Sequence, residues 1–195
     1  MTMIDISQII SNSRFDKEPS QISLFDCMKY IFGGEATFTV YSISQDKKYV
    51  FQCNQLVTEV NGKDIKHNMY FLSLLTGNDN TSNYTYVGTI DNKESNMPHI
   101  LTLRLTDKSK MTSEAPAYKL FYTLLYSLQC HPEYIATLLH RIKVYHDGHC
   151  SICGYKLTSV VSTNVGMGPV CAPEVHKDYK LECKRRGIKL PKNER

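Results

Sequence analysis

Ala36-Thr37-Phe38-Thr39-Val40-Tyr41-Ser42-Ile43 alternates apolar and polar side chains almost residue by residue. Successive side chains of an extended chain point to opposite faces, so this run places Phe38, Val40 and Ser42 on one face and Thr37, Thr39, Tyr41 and Ile43 on the other. It reads as a strand. Working outward, residues 45–48 carry turn chemistry into a second strand at 49–53, and Val57 to Val60, ahead of Asn61-Gly62, add a short piece. Residues 68–76, 84–91 and 99–107 are three further β-rich runs, separated by Gly77-Asn78-Asp79-Asn80 and by residues 92–98. The middle of the chain is therefore expected to form an antiparallel sheet of about five strands.

Helices flank that sheet in the sequence. Residues 21–32 repeat apolar side chains at near-helical spacing (Ile22, Leu24, Phe25, Met28, Ile31, Phe32) and stop at Gly33-Gly34. A short helix is expected over residues 4–10, followed by a polar arm with Pro19. Beyond the sheet, Ser113 can cap a helix that tolerates Pro116 in its first turn, and Ala117, Leu120, Phe121, Leu124, Leu125 and Leu128 form one apolar stripe to lay on the sheet. A second helix is predicted over 132–145 from Ile135, Leu138, Leu139 and Ile142, ended by Asp147-Gly148, and a short basic one over 175–186. Tyr118, Tyr122 and Tyr126 lie four apart, as the amphipathic border of a core would; their competing use is stacking on single-stranded bases.

The chemistry concentrates in residues 146–176, HDGHCSICGYKLTSVVSTNVGMGPVCAPEVH. Cys150 and Cys153 bracket two residues, so a tight turn aims two thiolates at one ion, and Gly154 can take the positive φ such a turn needs. Gly166, Gly168 and Pro169 return the backbone to bring up Cys171. With His176 the arrangement is C-x2-C-x17-C-x4-H, the spacing of a Cys3His zinc site; His146, His149 and Cys183 compete for the fourth place. One structural zinc ion is the expectation, in a module with little core of its own. A thioredoxin-like pair is disfavoured, because no strand is read before Cys150 and no helix right after Cys153. The zinc-deaminase element P-C-x-x-C fails at its first position, where His149 stands, and Gly166-x-Gly168-Pro169 lacks the lysine of a phosphate loop. No enzyme is expected.

The run C-S-I-C-G-Y-K-L (Cys150–Leu157), Ser162 and G-M-G-P-V-C (Gly166–Cys171) resemble a family of uncharacterised phage and prophage proteins with C-x-x-C-G-x-x-L, a serine and G-x-G-P-x-C. A second stretch, LLTGNDNTSNYTYVGTI (Leu74–Ile90), is similar to a G-x-D-N, Y-x-Y-x-G-x-I segment of the same kind of protein. The resemblance implies a zinc-ribbon-like module in a protein of a phage or mobile element, and no established activity. Val160 and Val161 depart from the family pattern, which commonly has a proline and an acidic residue there.

Composition bounds the rest. The 195 residues are 42% apolar and 22% charged, ordinary for a folded chain, with no apolar run long enough to span a bilayer and no basic leader at the start, so a cytoplasmic protein is expected. In a reducing compartment seven cysteines favour metal over disulfides, leaving Cys27, Cys53 and Cys130 as buried thiols. The net charge of +4 is uneven: from Arg141 onward eleven Lys and Arg face five acids, and the first 140 residues hold twelve against fourteen. An α+β sheet domain over 1–145 and a zinc-knuckle module with a basic tail over 146–195 are expected. Lys177, Lys180, Lys184, Arg185, Arg186 and Lys189 are the candidate contacts to nucleic-acid phosphates. Acidic positions Asp79, Asp91 and Glu94 fit the alternative, a protein-binding inhibitor or adaptor acting on a host defence or replication component.

Overall fold

The alternating stretch lies near the middle of a seven-stranded antiparallel sheet. The computed structural model describes residues 15, 17, 18, 20–77, 83–93, 100–130 and 134–194. Its strands are β1 (Gln21–Ile22), β2 (Glu35–Ser42), β3 (Lys47–Val60), β4 (Lys63–Leu75), β5 (Tyr84–Asp91), β6 (Thr102–Arg104) and β7 (Ile142–His146), in the spatial order β1-β7-β2-β3-β4-β5-β6. Its helices are α1 (Leu24–Ile31), α2 (Pro116–Cys130), α3 (Ile135–Leu139), α4 (Val160–Val165) and α5 (Pro173–Arg185). The α+β class with helices against an antiparallel sheet stands. The expected helix at 4–10 and the acidic positions Asp79 and Glu94 lie outside the described residues.

The strand count differs from the expected five for identifiable reasons. Residues 142–146 were expected to end a helix, yet Ile142, Val144 and His146 are buried while Lys143 and Tyr145 turn outward, and the run pairs with β2 from Ser42↔Ile142 to Phe38↔His146. Without it β2 would present an unpaired row of backbone donors and acceptors. β1 covers two residues, too short to show a period, and caps the edge of β7. The segment predicted at 57–60 is continuous with β3 across a register shift at Gln55/Val57, and the run predicted at 99–107 contracts to three residues in β6.

Asn61 and Gly62 join β3 to β4 with φ of 53° and 72°, the left-handed pair that a two-residue hairpin matched to strand twist requires. Residues 57–66 are exposed throughout, so this hairpin projects past the sheet.

α2 lays its predicted stripe on the sheet: Ala117, Phe121, Leu124 and Leu125 are buried. Phe121 stands 5.2 Å from Phe51 and 6.0 Å from Phe38, ring centre to ring centre. On the helix flank, Tyr118, Tyr122 and Tyr126 stack nearly parallel at 6.0 and 6.1 Å, and the Tyr118 hydroxyl donates to the Leu103 carbonyl. Tyr118 packs partly buried against the core while Tyr122 and Tyr126 are exposed, the arrangement of a core's amphipathic border. Asp91, read as an acidic loop residue, is buried and paired with Arg104 at 2.5 Å, which spends its charge inside the molecule.

A second apolar cluster gathers Leu157, Val161, Val165, Met167, Val175 and Tyr179 with Cys150 and Cys183. The C-terminal segment thus has more core than its sequence led us to expect. Phe15 closes it from the N-terminal side, its ring stacked on Tyr179 at 5.2 Å and under the Arg186 guanidinium. Close backbone approaches join the two clusters: the Glu35 N–H donates to the Ser151 carbonyl at 2.7 Å, and a Cβ on Gly33 would meet Ser151 Oγ at 2.4 Å.

Candidate metal centre and basic helix

The site is assembled by two short returns of the chain. After β7, Leu157 N–H donates to the Gly148 carbonyl and Cys150 N–H to the Tyr155 carbonyl, both at 2.8 Å, which makes residues 148–157 a small hairpin. Gly154 supplies its left-handed residue, φ 70°, and donates to the Cys150 carbonyl. Ser159 then caps α4, its Oγ accepting the Ser162 N–H at 3.1 Å, and Gly166 at φ 75° ends that helix. Met167-Gly168-Pro169 turns back, and Cys171 arrives just ahead of Pro173, the first residue of α5.

Cys150, Cys153 and Cys171 converge, their sulfurs all within 4.8 Å of one another, with Cys153 and Cys171 at 3.3 Å. Three sulfurs about 2.3 Å from one ion at tetrahedral angles stand about 3.8 Å apart, so the group fits a metal ion without a change of fold. Burial on its own would raise the Cys150 thiol; N–H groups of Gly168, Ile152 and Cys153 aimed at its sulfur outweigh that and hold its pKa below that of a free thiol. Cys171 is pushed up to about 12, first by its hydrogen bond to Cys153, then by burial and by the charge of Cys150. Three thiols so close resist ionising together, and a bound cation is what relieves the repulsion. Cys27 and Cys53, by contrast, are buried thiols raised by desolvation, whereas Cys130, expected to be buried, is partly exposed.

The competing fourth ligands are placed as follows. His146 uses both nitrogens, Nδ1 accepting the Gly148 N–H at 2.9 Å and Nε2 facing the Thr163 carbonyl at 2.7 Å. His149 is half exposed, with Nδ1 on the Asp147 carboxylate at 3.1 Å. His176 is buried, stands outside the three-thiol group, and sets Nε2 on the Met167 carbonyl at 2.8 Å. Cys183 is buried in the apolar cluster. A strand, β7, does precede Cys150, contrary to expectation; the redox reading still lacks its helix, since Cys153 is followed by the hairpin's return. Sequence reasoning missed α4, signalled by Ser159 and Gly166 at its two ends. It also set the deaminase reading aside on the ground that the chain has no H-x-E, whereas His131-Pro132-Glu133 has that spacing and lies outside the described residues.

His146 makes a pH prediction. Burial, its largest influence, holds the pKa below the usual histidine value, against the opposing pull of the Thr163 carbonyl. The unfolded chain takes up this proton near pH ~6.5 and the folded chain only at lower pH, so between those values the unfolded state binds more protons. Stability contributed by neutral His146 is therefore complete above about pH 7 and falls as pH drops below ~6.5. Urea midpoints at pH 7.5 and 5.5 should show a smaller acid loss in His146→Gln than in the parent; equal losses would exclude this residue as the cause.

On α5, Lys177, Lys184, Arg185 and, past the helix, Lys189 are exposed, and Lys180 and Arg186 are half exposed. Arg185 and Arg186 both bond Glu182, at 2.7 and 2.6 Å. Leu181, Cys183, Ile188 and Leu190 line a groove of about 600 Å³ flanked by Lys180, Lys184 and Lys189.

The same region carries a likeness to a known family. Residues 144–176 match the Family of unknown function (DUF6011). The matched segment begins within β7, holds all three converging cysteines and ends at His176. No curated protein and no solved structure matches the chain. Among the described residues no helix is long and apolar enough to cross a membrane.

Proposed function

We propose that the chain is a non-enzymatic binding protein in which one zinc ion, held by Cys150, Cys153 and Cys171, fixes the loops from which α5 presents lysines to a nucleic-acid backbone. The observation that carries this reading is the lysine row. Lys177, Lys180 and Lys184 fall three and four apart along α5, which aligns them on one side of the helix, and Lys189 follows. None of the four has a carboxylate partner among the described residues, whereas Arg185 and Arg186 are engaged by Glu182. Phosphate contact needs charge more than exact geometry, and a metal-tied loop just before α5 gives the row a rigid base. His176 then acts through Met167, whose carbonyl it bonds, one residue before the Gly168 N–H that meets Cys150. The motif resemblance is what supports a phage or mobile element as the setting of such a protein.

With four lysines on phosphates, binding to duplex DNA should weaken with salt at a log–log slope on the order of −3 to −4, and replacing Lys177, Lys184 and Lys189 together with Ala should flatten it by about 3. Anisotropy titrations on duplex DNA, single-stranded DNA and RNA test this. No binding to any of them at low salt sinks the reading.

A second reading rests on the apolar groove. Leu181 is 66% exposed beside Ile188 and Leu190, with lysines at the rim, a surface matched to an apolar segment carrying acidic residues on a protein partner. In a phage setting that partner is a host defence or replication component. Leu181→Asp separates the readings, because it abolishes capture of a protein partner from nuclease-treated host extract while leaving the lysine row in place.

A further inference from the structure

We propose that the chain forms a twofold dimer through the open edge of β4, with residues 63–67 pairing antiparallel to the same residues of a second copy and Ile65 on the symmetry axis. The site is the hairpin that outruns the sheet. β2 pairs with β3 no further than Asn54, and β5 pairs with β4 only from Met69 onward. From Val57↔Lys66 to Val60↔Lys63 the two strands therefore have only each other among the described residues. Residues 57–66 are exposed, with Val57, Val60 and Ile65 at 44%, 47% and 42%. Each outer edge of the hairpin thus presents unpaired backbone donors and acceptors beside apolar side chains, the template on which another strand adds. The end strands of the sheet proper, β1 and β6, offer two and three residues.

Backbone alternation and charge choose the same register. Asn61-Gly62 is a two-residue turn, so Val60 and Lys63 exchange the hydrogen bonds that close it. Such pairs alternate along an antiparallel ladder, so Ile65 turns its N–H and C=O toward β3, while Asp64 and Lys66 turn theirs to the open edge. A twofold pairing centred on Asp64 would set that carboxylate against its own copy, and one centred on Lys66 would set two ammonium groups together. Centred on Ile65, the outward backbone groups of Asp64 meet those of Lys66 of the second copy, and the reverse. Each of those two pairs is an acid opposite a base.

The same register resolves a conflict within the chain. Glu59 and Asp64 stand directly opposite each other across the hairpin, a like-charge pair, and neither they nor Lys63 and Lys66 form an ion pair with another described residue. Across the joined strands, side chains on that face run Glu59, Asp64, then Lys66 of the second copy, which brings a cation to the two carboxylates. On the other face the two Ile65 side chains meet, each flanked by its own Thr58. The β3 edge has no such match, because pairing its outward residues would set Val57 opposite Glu59. Two chains joined at β4 carry two α5 lysine rows on one particle, so a long polyanion would be held at two points.

Sedimentation velocity on the full chain, from low micromolar to submillimolar concentration, measures the equilibrium. The parent should pass from monomer to dimer across that range. Asp64→Lys and Lys66→Asp each turn both cross-copy pairs into like-charge pairs, and each should raise the dissociation constant by roughly tenfold or more. An equimolar mixture of the two variants should dimerise as the parent does, because the cations of one then face the carboxylates of the other. Asp64→Lys also removes the repulsion from Glu59 within the chain, so its loss of dimer does not come from a weakened hairpin. A parent that stays monomeric throughout, single variants that associate as the parent does, or a mixture no more associated than its components each overturn the proposal.

Discussion

Cys171→Ser should abolish stoichiometric zinc binding and strip hydrogen-exchange protection from residues 148–157 and 166–171, while β2, β3, β4 and β5 keep theirs. The affected segments are the ones whose conformation the ion sets. The hairpin is closed by two cross-strand backbone bonds, Leu157 to Gly148 and Cys150 to Tyr155, and the return loop meets it through Gly168 on the Cys150 sulfur. Structural zinc supplies about 10–16 kcal/mol of apparent binding energy in finger peptides, so even a fraction of it exceeds what those few bonds contribute, at about 1 kcal/mol each. The second apolar cluster limits the damage: Val161, Val165, Met167, Val175 and Tyr179 bury their side chains whether or not the ion is present, and should hold α4 and α5 together. Chelation of the parent should reproduce the pattern. If the amides of residues 148–157 remain as protected in Cys171→Ser as in the parent, the thiols do not hold a structural ion.

What could be read from the sequence, and what could not, divides on the range of the forces involved. β2, β5 and α2 were legible because their periods coincide with one-sided burial. The three cysteines were legible because the Cys150–Cys153 spacing is local and the glycines mark the return that brings Cys171. Residues 142–146 were not, since Ile142 also continues the helical spacing of Leu138 and Leu139, and only the unpaired edge of β2 decides for a strand. The roles of His146 and His176 were hidden for the same reason. Both were read as candidate metal ligands, and each sets Nε2 on a backbone carbonyl, of Thr163 or Met167, that no spacing rule connects to it. Asp91 reads as a loop acid until β6 brings Arg104 alongside.

Gly166→Ala should destabilise the chain by about 3 kcal/mol, well beyond the cost of the same change at Gly187. Both glycines follow a helix in the left-handed region, Gly166 at φ 75° after α4 and Gly187 at φ 70° after α5. A Cβ there costs roughly 1–2 kcal/mol from backbone sterics alone. At Gly187 nothing lies within 4 Å of the added carbon, so that strain is the whole effect. At Gly166 the carbon would sit 2.5 and 2.6 Å from Tyr30 Cδ2 and Cε2. That ring cannot step aside: Tyr30 is fully buried, packs edge-on against Phe38, and its hydroxyl donates to the Thr37 carbonyl at 2.8 Å. The end of α4 must lift instead, adding an overpacking cost of about 1–3 kcal/mol and loosening the Ser151 N–H bond to the Gly166 carbonyl that ties the cysteine hairpin to the end of α4. Urea midpoints of the two variants, compared with the parent at fixed slope, measure the difference directly. Equal losses at the two positions would mean that α4 does not rest on Tyr30, and that the metal module hangs from β7 rather than packing on the sheet domain.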